Sequence, residues 1–203
     1  MAPLSTEAVL LRAHDYGDSS RILRFYTKDY GMLSVIAHGV RGKIGKGTTA
    51  LASFASGVLC AYVKPYRDLH TMKEFSCRRL RDGLGRDVLR FAGASAGAEL
   101  ILSHTEQGSH PELFEAFEDA LDRLESVASD QLSAAVLSGL WTIVDGLGFA
   151  PQVDSCVNCS EPLGENVVGC FDLPAGGVRC PPCTDESTGP RIGPKARDQG
   201  REL

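Results

Sequence analysis

Over residues 1–78 the apolar side chains come in short runs, rich in Val, Ile, Leu, Phe and Tyr, broken by Gly and Asp. That punctuation predicts strands near Ala8–Ala13, Arg21–Thr27, Met32–His38, Gly57–Lys64 and Leu69–Phe75. In the third run Leu33, Val35 and Ala37 alternate with Ser34 and His38, the pattern of a strand with one buried face. Lys28 to Gly31 supplies a hairpin turn, because Gly31 tolerates positive φ. Five strands in so short a stretch predict a small closed barrel, with the OB-fold as first choice and an SH3-like barrel as second. The gap from Gly39 to Ser56 is where an OB barrel often carries a helix.

From residue 82 the period changes. Leu84, Val88, Phe91, Ser95, Ala98 and Leu102 follow three-and-four spacing, as do Leu113, Phe117, Leu121 and Leu124 after Pro111. Glu115, Glu118, Asp119 and Asp122 fill the opposite side of that second helix. A third helix is expected from about Asp130 to Leu147, with Leu132, Val136, Leu140, Ile143 and Val144 inward, ended by Gly148 and Pro151. Three amphipathic helices on short connections predict a bundle. The class is therefore α+β and multidomain: a barrel over 1–80, a helical bundle over 81–150, a cysteine-rich module over 151–185 and a flexible polar tail over 186–203.

The module at 151–185 has few large apolar side chains, so hydrophobic burial alone cannot fix it. Cys156 and Cys159 form one C-x2-C pair, and Cys180 and Cys183 form another, twenty residues later. Two such turns complete a tetrahedron of thiolates, which points to one structural zinc and a zinc ribbon, with a strand near 167–171. The other readings are a redox pair, although no βαβ frame accompanies it, and a degraded site that holds no metal. Four thiolates leave no open metal position, so a catalytic zinc is not expected. Cys170 reads as a small packed residue, and Cys60 and Cys77 as barrel core.

Composition is that of an ordinary globular protein, with 43% hydrophobic and 23% charged residues. No apolar run nears the ~18 residues that span a bilayer, and residues 1–7 lack a signal-peptide pattern, so a cytoplasmic location is expected. The net charge of −5 hides an asymmetry. Residues 1–82 carry 13 Lys/Arg against 7 Asp/Glu, whereas residues 83–150 carry 3 against 11. A basic barrel joined to an acidic bundle reads as a dipole whose basic end can hold a polyanion. Arg41, Lys43 and Lys46 sit in a Gly-rich loop, and Arg21, Arg24, Lys64 and Arg67, with Arg78, Arg79 and Arg81 at the domain junction, add to it as candidate nucleic-acid contacts. A solvated charged face is the plainer reading. Tyr16, Tyr26, Tyr30, Tyr62 and Tyr66 are candidates to stack on bases, against half-buried core roles. The loop is not a phosphate-binding Walker loop, since Val40 and Gly47 stand where Gly and Ser or Thr are required.

Several stretches resemble the RecO family of bacterial DNA-repair proteins. Residues 8–21 are similar to its opening strand, loop and second strand, and residues 30–41 to its third strand and basic loop. Pro111–Phe114 opens a helix as in the family. The most specific stretch is residues 147–159, from Leu147 to the first cysteine pair, followed by residues 176–180. The resemblance implies a recombination mediator that binds single- and double-stranded DNA and anneals complementary strands. It also implies engagement of single-strand-binding protein (SSB), association with RecR, and help in loading RecA, without enzymatic turnover. The family's basic-loop role maps onto Arg41, Lys43 and Lys46. Family members usually continue into further helices past the ribbon, whereas this sequence ends at Leu203.

Two functions from different classes compete. One is a non-enzymatic DNA-binding mediator; the other is a zinc-stabilised protein-interaction module that binds DNA only incidentally. A zinc hydrolase or deaminase is excluded, because His14, His38, His70, His104 and His110 form neither an H-x-E nor an HExxH motif.

Overall fold

The first strand is longer than its apolar run predicts because it serves two partners. In the computed structural model, which describes residues 3–40, 51–105, 108–185 and 189–202, β1 spans Leu4–Tyr16. Its first half pairs with β4 (Ser56–Tyr62), and its second half with β2 (Ser20–Thr27). A register shift between Leu10 and Arg12 bends the strand between them. β2 turns into β3 (Gly31–Ala37) through Lys28–Tyr30, and Gly31 takes φ 64° as expected. Thr27 Oγ1 closes that turn, donating to Gly31 O at 2.8 Å and accepting from Tyr30 N at 3.2 Å.

Topology separates the two barrel readings. β3 runs parallel to β5 (Leu69–Arg79), and β5 is antiparallel to β4, which returns to β1. The closed order β1-β2-β3-β5-β4 is that of an OB-fold. Ala8, Leu10, Leu23, Phe25, Leu33, Val35, Ala37, Leu59 and Ala61 fill its interior. Cys60 and Cys77, expected in that core, are only half-buried on β4 and β5. The expected helix between β3 and β4 falls largely on residues 41–50, outside the described residues, and residues 51–55 form turns with Leu51, Phe54 and Ala55 buried.

Three helices follow a short 3-10 turn at Asp82–Arg86: α1 (Val88–His104), α2 (Pro111–Ser126) and α3 (Leu132–Gly146). Asp87 caps α1, its carboxylate accepting from the N–H groups of Leu89 and Arg90. α2 buries Leu113, Phe117, Leu121 and Leu124 as its spacing predicts. α1 departs from expectation. Its buried stripe is Gly93, Ala94, Gly97, Ala98 and Ile101, while Val88 is 88% exposed and Phe91 about half exposed. Close packing sets this phase, since a Cβ on Gly97 would lie 2.9 Å from Ile143 Cδ1 of α3. Small side chains here admit the neighbouring helix, a signal that hydrophobic spacing does not carry.

The chain forms two compact units, Met1–Ile143 and Val144–Leu203. Barrel and bundle share the first. Helices cover the outer face of β1 and β2, where Tyr26 is fully buried with its ring 5.8 Å from Phe114 and 6.5 Å from Phe117. Burial pushes the Tyr26 hydroxyl up to about 12. The stacking role considered for Tyr26 is thus replaced by a core role.

Three of the four acidic residues on that side of α2, Glu115, Glu118 and Asp122, reach cations of the barrel and of the segment that follows it, while Asp119 is exposed. Glu115 binds Lys28 at 2.7 Å, Glu118 binds Arg81 at 3.0 Å, and Asp122 binds Arg81 at 2.7 Å as well as Arg79. Arg12 reaches Glu99 of α1 at 2.6 Å. The dipole inferred from charge counts is therefore partly closed on itself. Arg81 is the centre of this seam. It adopts a left-handed conformation (φ 52°), its side chain is wholly buried, and it also donates to Phe54 O and Ser56 Oγ at 2.9 Å each.

Replacing Arg81 with Met should lower stability by about 3 kcal/mol, because it leaves buried acceptors on both sides of the seam unpaired. Removing Glu99 from the exposed pair with Arg12 should cost less than about 1 kcal/mol. Urea unfolding of the two variants provides the comparison, and equal midpoints would count against a central role for Arg81.

Candidate metal centre and nucleic-acid interface

The second unit is built around the cysteine turns. Ser155 and Pro162 form a bridge across the first turn, closed by Cys156 N–H to Glu161 O and Leu163 N–H to Asp154 O. Ser160 ends the turn at φ 62°, a conformation that ordinarily favours glycine. β6 (Gly169–Asp172) and β7 (Gly177–Arg179) make the ribbon hairpin, and the 3-10 turn Pro181–Cys183 carries the second pair. The two turns are stitched together by Val157 N–H to Val178 O and Val178 N–H to Gln152 O. Gly177 permits that approach, since a Cβ there would lie 2.5 Å from both Gln152 O and Val157 Cγ1.

The four sulfurs of Cys156, Cys159, Cys180 and Cys183 all lie within 4.8 Å of one another. Cys159 and Cys180 Sγ are 3.7 Å apart. A tetrahedron with metal–sulfur bonds of ~2.3 Å has edges of ~3.8 Å, so the arrangement fits a single thiolate-bound ion. Cys156 is buried, and its Sγ accepts from Asn158 N at 3.4 Å and Cys180 N at 3.3 Å. Burial opposes its ionisation, but the N–H groups of Cys180, Cys159 and Asn158 outweigh this and bring the thiol down to about 6. Cys180 is pushed up to about 12, by burial first and then by hydrogen bonds with the neighbouring thiols. The backbone N–H groups thus favour ionisation of Cys156, and binding of an ion by four thiolates releases the protons still held by the others.

The polar tail expected to be flexible is ordered over its described residues. β8 (Arg191–Ile192) adds to β6 as a third strand, and α4 (Pro194–Glu202) follows. Arg197 explains the difference. It is only 2% exposed and donates to Gly164 O at 2.7 Å, Val167 O at 3.0 Å, Leu163 O at 3.3 Å and Val153 O at 3.5 Å. One guanidinium thus satisfies carbonyls on both sides of the first cysteine pair, Val153 before it and Leu163, Gly164 and Val167 after it, in stretches outside the β6–β7 ladder. Composition gave no sign of this, although Pro194 in a first helical position is a start signal that spacing alone could have raised.

On the barrel the candidate cations separate into groups. Arg41, Lys43 and Lys46 lie outside the described residues. Arg21 is committed to Asp15 at 2.9 Å. Arg24 stands opposite Arg12 across the β1–β2 ladder, and its Nε is buried without a hydrogen-bond partner among the described residues. Lys64 and Arg67, in the β4–β5 loop, line a cleft of about 510 Å³ together with Tyr30, Tyr66, His70 and Asp68. Of the tyrosines, Tyr16, Tyr30, Tyr62 and Tyr66 are exposed.

Two family models meet on this chain. "Recombination protein O N terminal" matches residues 1–81, and "Recombination protein O C terminal" matches residues 85–191. The chain belongs to the RecO family. Similar proteins, each named DNA repair protein RecO, include one from Anaeromyxobacter sp. (strain Fw109-5), 32% identical over 89% of this chain and 70% of its own length. Others are from Desulfatibacillum aliphaticivorans, 29% identical over 90% of this chain and 72% of the relative, and Anaeromyxobacter sp. (strain K), 33% over 86% and 68%. The boundary between the RecO models falls at the Arg81 seam, and the C-terminal match extends through both cysteine pairs to β8. No helix among the described residues is long and apolar enough to cross a membrane.

Replacing Cys159 or Cys183 with Ser should lower bound metal well below one ion per chain and open residues 151–185 to proteases. Metal-free protein with an equally protected ribbon would contradict the site. Replacing Arg197 with Met should destabilise the ribbon by about 3 kcal/mol and speed metal release to a chelator, since four carbonyls lose a charged donor. Unchanged release and unchanged proteolysis would show that the tail packs without it.

Proposed function

We propose that this chain is a non-enzymatic recombination mediator that binds DNA, anneals complementary strands and assists RecA loading in the cytoplasm, together with RecR and SSB. The observation that carries this reading is the match of both RecO models, which together account for nearly all of residues 1–191. The ion proposed for the cysteine site is zinc, one per chain, held by Cys156, Cys159, Cys180 and Cys183. Four thiolates suit zinc and close its coordination shell, so its chemistry is structural: it replaces the core that the ribbon lacks.

The DNA contacts are proposed on Arg41, Lys43 and Lys46 with Lys64 and Arg67, and more weakly on Arg21 and Arg24. The burial of Tyr26 against Phe114 and Phe117 on the outer face of β2 supports a contact surface elsewhere on the barrel. Loop cations suit annealing. They neutralise phosphates without reading bases, so two strands can meet while their bases stay free to pair. With no nucleotide-binding loop in the sequence, base pairing itself supplies the free energy.

One observation favours the second reading, a zinc-stabilised protein-interaction module. Much of the barrel's charge is already spent on α2, through Lys28, Arg79 and Arg81. A fluorescence annealing assay with two complementary oligonucleotides separates the readings. Acceleration without ATP is expected, with log affinity for single strands falling against log salt at a slope of about −3 to −4 if ~4–6 phosphates are neutralised. Replacing Arg41, Lys43 and Lys46 together with Ala should flatten the slope and slow annealing. DNA binding without acceleration, or none at all, favours the interaction module.

A further inference from the structure

Tyr66 is out of place as a structural residue. It sits at the tip of the β4–β5 loop, after Pro65, with φ 62° and its surface fully open at 104% of the reference exposure. A turn with Pro in second position and positive φ in third is served by Gly or Asn, and a large aromatic there carries backbone strain. No core contact repays that strain, because the ring is wholly exposed. The residues around it are equally unspent. Lys64 and Arg67 form no ion pair among the described residues, whereas Arg12, Lys28, Arg78, Arg79 and Arg81 all do.

The loop is held as a wall rather than left loose. Lys64 N–H points to Nδ1 of His70, which is 4% exposed at the start of β5, at 3.4 Å. The opposite wall is the β2–β3 turn, which carries Tyr30, about half exposed. That turn is strapped by the segment before α2, where Gly108, which also lines the cleft, donates its N–H to Tyr30 O at 3.4 Å and Ser109 Oγ donates to Lys28 O at 3.1 Å. Between the walls lies the cleft of about 510 Å³. Its charges are mixed, because Asp29 and Asp68 line it beside Lys64 and Arg67. Mixed charge disfavours both a duplex, with its dense phosphates, and a run of acidic side chains. It suits a ligand with one anionic end and hydrogen-bond donors on the other.

We propose that this cleft holds a single unpaired nucleotide of a DNA strand, its base stacked on Tyr66 and Tyr30 and its flanking phosphates on Lys64 and Arg67. The inference rests on the DNA-binding reading above and adds to it a site, a ligand state and named stacking residues. Aromatic stacking is tolerant of base identity, so the cleft selects unpaired over paired nucleotides rather than one sequence over another. A strand gripped at one extruded base remains free to pair on either side.

The test uses the full chain and an oligonucleotide with one 2-aminopurine among thymines, read by fluorescence and by titration. Tyr66→Ala and Tyr66→Gly should each weaken binding by about 10-fold and abolish the change in 2-aminopurine emission, with little effect on the salt slope. Tyr66→Phe should retain both. Lys64→Ala and Arg67→Ala should each reduce the slope by about 0.7, the contribution of one single-strand phosphate. Tyr66→Gly should keep or raise the melting temperature, which separates lost binding from lost folding. If the wild type binds the oligonucleotide and the Tyr66 variants bind it equally, the cleft assignment is wrong while the DNA-binding reading stands. If the wild type binds no single strand, both fall. Capture of an acidic peptide in place of the oligonucleotide, lost in Tyr66→Ala, would reassign the cleft to a protein partner.

Discussion

Arg81 is buried, charged and in a left-handed backbone conformation, and it touches four groups from three places in the chain: Phe54 O, Ser56 Oγ, Glu118 and Asp122. A cation this deep is tolerable only when every donor is matched, so its partners must be brought to it together. Those partners belong to the loop before β4, to β4 itself and to α2. The barrel therefore cannot settle in a different orientation on the bundle without stranding a charge. Tyr26 against Phe114 and Phe117 supplies the apolar part of the same seam, and the exposed pairs at Arg12 and Lys28 border it.

The seam also decides what the barrel can offer to a partner. An OB-fold ordinarily presents the strand 2–3 face with its flanking loops. Here the neighbouring face of β1 and β2 is covered by helices, and three of the barrel's arginines are neutralised by α1 and α2. Two cationic groups without an ion pair among the described residues, Lys64 and Arg67, lie in the β4–β5 loop beside exposed aromatics. Net charge over a segment thus overstates the charge that is available at its surface.

The ribbon is organised by a different economy of contacts. It has a small apolar cluster of Val153, Cys156, Leu163 and Val178, too little to order some forty residues. Two charged centres do the rest. One is the group of four cysteines, where backbone N–H groups favour ionisation of Cys156; the other is Arg197, which ties the intervening loop through its carbonyls. Both satisfy backbone and sulfur groups that a hydrophobic core would leave unpaired.

The alternation at Leu33, Val35 and Ala37 and the spacing at Leu113, Phe117, Leu121 and Leu124 were sufficient, from sequence, for strands, helices and their inward faces. These are local periodicities, and geometry enforces them residue by residue. The cysteine pairs were equally legible, because a metal site needs particular ligands at turn spacing. The phase of α1 was not legible, since small residues at Gly93 and Gly97 gain their meaning only from the side chains of α3 that fill the space. Nor were the roles of Arg81, Arg197 and the acidic face of α2, which look in sequence like ordinary solvated charges. A charge becomes structural only when distant segments bury it, and Tyr66 and Lys64 share a cleft with Tyr30 only because barrel closure sets β3 beside β5. Sequence by itself determined most strands and helices before residue 147 and the four cysteines that come together; tertiary structure decided which charges are spent inside the protein and which remain at its surface.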